Sequence, residues 1–184
     1  MNAVTTDQAI EVRPMSAGDA RAIVAFAEAL PLIDLLFLQR DIRVDKVVSA
    51  WIEQNERGLI RSLLAYSGEE LVGCAAVVRD ALSWSPHVAE IRVLVAQGNR
   101  GAGIGRRLAQ EAFALAVADG VEKLIVRIVP EQRGAIALFE EMGFRVEAML
   151  RDHVRDAEGA KHDIAILSLD VLRQGRQHLA YGLG

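Results

Sequence analysis

The chain holds a single cysteine, Cys74. One thiol excludes an internal disulfide and favours a reducing, cytoplasmic setting; inside the apolar run 71–78 it reads as a small core residue. No apolar run approaches the ~20 residues that a membrane-spanning helix needs. The first nine residues are polar and lack the basic-then-apolar order of a signal peptide. There is no large excess of one charge: 21 Lys and Arg against 25 Asp and Glu leave a net charge of −4. That balance argues against non-specific nucleic-acid binding and against a polybasic membrane surface, and is compatible with a cationic acceptor such as an amine. There is no internal repeat and no low-complexity linker. What is present is 184 residues, 52% hydrophobic and 25% charged. This is the profile of one globular domain with a sizeable core, as a monomer or a homodimer.

The most informative stretch runs from Glu90 to Leu108. Residues 90–96 are apolar and β-branched and read as a mostly buried strand. Residues 97–103 form a polar, Gly-rich turn. From there Ile104, Leu108, Ala112, Leu115 and Ala116 fall at helical spacing. A strand therefore passes through a glycine turn into a helix. Gly101, Gly103 and Gly105 allow a tight turn and close approach of a ligand. The first helical turn leaves backbone N–H groups unpaired at the positive end of the helix dipole, and Arg100, Arg106 and Arg107 add charge. The whole is an anion site suited to a pyrophosphate. A P-loop would need Lys-Ser/Thr after the last glycine, where Arg106-Arg107 stands. A dinucleotide fingerprint would need G-x-G-x-x-G, where the spacing is G-x-G-x-G; Glu122 is only loosely placed as its acidic ribose partner.

Along the rest of the chain, residues 10–15 read as a strand ending near Pro14. Ser16 with Asp19 forms a capping box that opens a helix ending at Pro31. The apolar run 32–38 reads as a short buried helical turn or as the lining of a pocket. A second helix spans 45–57. Strands at 62–66 and 71–79 flank a hairpin turn at Ser67-Gly68-Glu69-Glu70. After the central helix come a strand at 123–129, a helix at 132–142 and strands at 144–150 and 164–170. The order β-α-α-β-β-β-α-β-α-β-β predicts an α/β chain with one mixed sheet, not a doubly wound parallel fold.

The remaining glycine-loop pattern, Q/R-x-x-G-x-G/A, is met by Arg100, Gly103 and Gly105, and here the chain resembles the GNAT superfamily of acyl-CoA N-acyltransferases. Ala135-x-x-Leu138-Phe139-x-x-x-Gly143-Phe144 is similar to a second family segment, and the run from Gly143 through Gly159 to Asp163 resembles its last hairpin. The resemblance covers residues 10–171, with 172–184 left as a tail. It implies a single domain whose central, mostly antiparallel sheet is splayed at an acetyl-CoA site and flanked by helices. It further implies that Val93, Leu94 and Val95 pair with the pantetheine arm, that Arg100, Gly101, Ala102, Gly103, Ile104 and Gly105 hold the pyrophosphate, and that Gln132 and Phe139 lie beside the cofactor. No metal is implied; His153 and His162, among Asp152, Asp156 and Asp163, match no ligand spacing.

The implied activity is transfer of an acetyl group from acetyl-CoA to a primary amine, small molecule or protein, by direct attack in a ternary complex. The alternative is a non-catalytic acyl-CoA-binding regulatory module. Such a transfer needs a stabilised thioester oxygen and an amine that has lost its proton. Glu90 is the first candidate base and His87 the second; a structural Glu90 paired with Arg92 or Arg127 is the competing reading. Many family members place a tyrosine hydroxyl near the leaving sulfur, where this chain has Phe139. Three routes stay open: the thiolate leaves unaided, its free thiol having a pKa of about 8.5; Tyr66, Ser85 or a water serves; or the chain binds acyl-CoA without efficient transfer. The acceptor itself has no motif in the run 31–38, around Trp51 or around Trp84.

Overall fold

The structure is a computed structural model and describes residues 9–173; most of the expected tail lies outside the described residues. Its elements follow the predicted order: β1 (Ile10–Pro14), α1 (Ala20–Glu28), α2 (Asp45–Glu56), β2 (Ile60–Ser67), β3 (Glu70–Val78), β4 (Val88–Val95), α3 (Ile104–Ala118), β5 (Lys123–Ile128), α4 (Arg133–Glu141), β6 (Arg145–Arg155) and β7 (Lys161–Asp170). The strands form one sheet in the order β1-β2-β3-β4-β5-β7-β6. Every neighbouring pair is antiparallel except β4 and β5. Those two are joined through α3, as a parallel pair requires a crossover.

The central strands β2 and β3 are buried on both faces, successive side chains pointing to opposite sides. In β2, Leu63 and Ala65 pack on the side of α3 and α4, while Leu64 and Tyr66 pack on the side of α1 and α2. Helix α3 sits close on β3: a Cβ at Gly73 would come within 2.9 Å of a Leu108 methyl and 3.1 Å of the Leu94 carbonyl. The apolar run 32–38 is both things that its composition suggested. It holds a single 3-10 turn at Leu32–Asp34 with buried Leu35 and Phe37, and Ile33 and Asp34 line a cavity.

The largest departure from expectation is the last hairpin. β6 runs on to Arg155 and β7 begins at Lys161, so each strand is longer than its apolar part. The added pairs are Val154 with His162 and Arg155 with Lys161, in which Val154 is the one apolar side chain. An edge strand carries few buried side chains, so hydrophobic alternation does not mark it. The register shifts between Leu150 and Val154, where Asp152 takes a φ of 51°.

A polar cluster fixes the first helix to the sheet. Asp19 is buried and accepts two hydrogen bonds from Arg13 (2.6 and 2.9 Å), one each from the Ser16 N–H and hydroxyl (both 2.8 Å) and one from the Tyr66 hydroxyl (2.8 Å). The Arg13 guanidinium holds its carboxyl well below the usual range, outweighing the opposing effect of burial. Because the folded-state pKa is lowered, the stabilisation is present above the unfolded-state carboxyl pKa of ~3.9 and is lost as pH falls through the folded value. Asp19→Ala is therefore expected to cost about 2 kcal/mol at neutral pH. Denaturant unfolding should show this deficit constant above about pH 5 and shrinking below about pH 4.

Candidate active site

The site begins where β4 parts from β5. Their parallel pairing covers only Val88, Ala89 and Glu90 against Lys123, Leu124 and Ile125. On its other edge β4 stays paired with β3 as far as Val95. The next N–H, of Ala96, donates to the Val72 carbonyl at 2.8 Å. By the alternation of an antiparallel ladder, Val93 and Val95 then turn their N–H and C=O groups towards the gap.

The glycine turn closes one end of that gap. Gly101 and Gly103 have φ of 80° and 81°, a region where a Cβ brings strain. Gly103 is the N-cap of α3. The first helical bond runs from the Arg107 N–H to the Gly103 carbonyl at 3.0 Å, so the N–H groups of Ile104, Gly105 and Arg106 have no partner within the helix. A cavity of about 640 Å³ lies along the gap and the helix start. Val93, Leu94, Val95, Arg100, Gly101, Gly103, Gly105, Gln132 and Phe139 all line it. Ala102 belongs to the same turn without lining the cavity, and Ile104 is buried in the core beneath it.

The arginines behave differently from free charges. Arg100 donates to Asp34 at 2.5 Å and to the Val95 carbonyl at 3.2 Å. Arg106 pairs with Glu141. Arg107 pairs with Glu111 at 2.9 Å and donates to the Ile10 carbonyl at 2.8 Å. The positive character left for an anion is thus mainly that of the backbone N–H groups and the helix dipole.

Asp34 is the residue that sequence reasoning missed. Its carboxylate is buried, with Arg100 on one oxygen and the Gln132 side chain on the other at 2.8 Å. One group thereby ties the 3-10 turn, the glycine loop and the start of α4 together. The available signal was a lone carboxylate in an otherwise apolar run of seven residues.

Glu90 lies outside this cavity. It accepts two hydrogen bonds from Arg92, at 3.0 and 3.2 Å, and has Arg127 at 3.8 Å. It is four residues before Leu94, roughly 13 Å along the strand. His87 is exposed and three residues further back, where its carbonyl accepts the Glu122 and Lys123 N–H groups. Tyr66 is committed to Asp19, with its hydroxyl pushed up to about 12 chiefly by burial. Ser85 is in the exposed loop before β4. Phe139 is buried, its ring edge-on to Phe144 at 5.2 Å. In the last hairpin His162 bonds Asp156 at 2.8 Å, and the described residues include no group of three or more His, Cys, Asp or Glu that could hold a metal ion.

The model of the acetyltransferase (GNAT) family matches residues 28–144, more than half of the chain. The chain belongs to the GNAT family. The chain is 30% identical over 83 residues to the Bacillus subtilis (strain 168) protein named "Putative phosphinothricin acetyltransferase YwnH". The match takes in 45% of this chain and spans about half the length of that curated relative. An N-acetyltransferase from Staphylococcus aureus Mu50 superposes with a TM-score of 0.77 at 20% identity, over 88% of this chain and 98% of that one. The yncA protein of Salmonella typhimurium, solved with its cofactor acetyl-CoA, gives a TM-score of 0.74 at 20% identity, over 89% and 94%. The mostly antiparallel seven-stranded sheet with its flanking helices matches the GNAT fold.

Two substitutions test how the GNAT loop is held. Arg100→Ala strands the buried Asp34 carboxylate and is expected to cost about 3 kcal/mol in denaturant unfolding. Adding Asp34→Asn, which removes the stranded charge, should recover part of that loss, whereas strict additivity of the two losses would contradict the coupling.

Proposed function

We propose that the chain moves an acetyl group from acetyl-CoA to the primary amine of an acceptor by direct attack within a ternary complex. The observation that carries this is the edge of β4 at Val93–Val95, which has no partner strand there and leads to the N-terminus of α3. Such an edge can pair with the amides of a pantetheine arm as an added strand. The helix start takes the pyrophosphate. A backbone N–H of the same edge can donate to the thioester oxygen as it gains negative charge.

Two details shape the chemistry. Phe139 offers no hydroxyl to the leaving sulfur, and its position on the cavity wall keeps that wall apolar. The thiolate then leaves unaided, which its modest basicity allows (free thiol pKa about 8.5). The same residue favours the second reading, a module that binds acyl-CoA without transferring, so turnover is the observable that separates them. Glu90, held by Arg92, serves as a base only through a relay to the amine.

The test is incubation with acetyl-CoA and a panel of amines, reading free thiol and acetylated product together. Stoichiometric release of both supports transfer; acetyl-CoA binding without either supports the second reading. Glu90→Gln separates the roles of the carboxylate. A base role predicts loss of turnover together with loss of the acidic limb of the pH–rate profile; an ion-pair role predicts lower stability with the profile's shape unchanged.

A further inference from the structure

A second cavity, of about 310 Å³, lies between α2 and strands β3 and β4 and adjoins the first at Leu94, which lines both. Its volume is near the lower end for small-molecule sites. Ile42, Val47 and Trp51 supply an apolar part of its walls, and two glutamines and two arginines a polar part. The Trp51 ring is fixed by a hydrogen bond from its N–H to the Ser62 hydroxyl at 3.0 Å. The charged residues in this lining are Arg40 and Arg92; none of its fourteen residues is Asp or Glu.

Arg92 is held by Glu90 at the wall of this cavity. Glu90 takes its Nε and one terminal nitrogen, Nη2, which leaves Nη1 without a hydrogen bond to the described residues. The Arg92 side chain lines the cavity and is about 20% exposed, whereas Arg127 Nε is buried without a hydrogen-bond partner among the described residues. Arg127 also approaches Glu90, at 3.8 Å. Two guanidinium groups thus share one carboxylate, and the cluster keeps a net positive charge. A bare ammonium compound entering this cavity finds no carboxylate in the lining to pair with, and the charged side chains there are both cationic. An amine that also carries an anionic group pairs that group with Arg92.

We infer that the acceptor is a small amine bearing both an apolar portion and an anionic group such as a carboxylate, with Arg92 as the specificity-determining residue and Glu90 as its positioning partner. This rests on the acyl-transfer reading for the word acceptor, but the binding preference stands apart from turnover. The apolar portion lies against Trp51, the anion is held by Arg92 with Arg40 at the exposed end, and the amine is directed past Leu94 to the gap.

The test is calorimetric titration of the full chain with 4-methylpentanoate and with its uncharged amide. A charge-assisted hydrogen bond to Arg92 predicts that the carboxylate binds about ten- to a hundredfold more tightly. Arg92→Gln should abolish that difference and Arg40→Gln, a surface change, should reduce it. Should Arg92→Gln fail to fold, the wild-type comparison and Arg40→Gln carry the result. Equal or tighter binding of the amide, or no binding of either at millimolar concentration, overturns the inference. Acetyl-CoA titrated into the same protein separates the two ideas. Failure of acetyl-CoA to bind, with the carboxylate preference intact, removes the acyl-transfer reading alone; the converse removes this inference alone.

Discussion

A strand that loses its partner on one edge part-way along is the constraint on which the rest of this molecule depends. β4 is held by β3 from Glu90 to Val95, and by β5 for just three residues. Beyond Glu90 the two strands part, and backbone groups that a closed sheet would consume are left facing a cavity. Buried backbone polar groups demand partners. A gap of this kind persists because water or a ligand supplies them, and because the elements around it are held apart by other contacts. Gly73 lets α3 settle onto β3, and Asp34 ties the 3-10 turn to both the glycine loop and α4. The gap is therefore built by its surroundings as much as by the strands that border it.

That arrangement changes the meaning of the charges in the loop. Three arginines in eight residues suggest a site that attracts phosphate by side-chain charge. In the folded chain each of the three is paired with a carboxylate. What remains is a field fixed by backbone geometry: N–H groups at a helix start, presented by glycines in left-handed conformations. A field of that kind is preorganised, so it costs little to align when an anion arrives. Arg100 becomes a brace for the Val95 carbonyl and Asp34, and Glu90 becomes the group that orients Arg92.

Much of this was legible in the sequence, and the limits have physical causes. The element order, the glycine turn and the start of α3 at Ile104 follow from hydrophobic period and turn chemistry, which are local. Most of the residues that line the gap were legible for the same reason, since a contiguous strand-turn-helix supplies them. The ends of β6 and β7 were hidden because their pairs, with Val154 the one apolar member, leave no alternation. Asp34 was hidden because its partners, Arg100 and Gln132, are 66 and 98 residues away, and only the fold brings them together. The cavity beside Trp51 was hidden likewise, drawing on α2 and two strands that no local pattern connects.

The central claim is that acetyl-CoA completes the open edge of β4. Residue-resolved amide hydrogen exchange, with and without acetyl-CoA, reads this directly. The account predicts that the Val93 and Val95 amides, together with those of Gly103 to Arg106, slow on addition of the cofactor, while Leu94, already turned towards β3, changes little. Binding that slows exchange elsewhere and leaves Val93 and Val95 unchanged would contradict it.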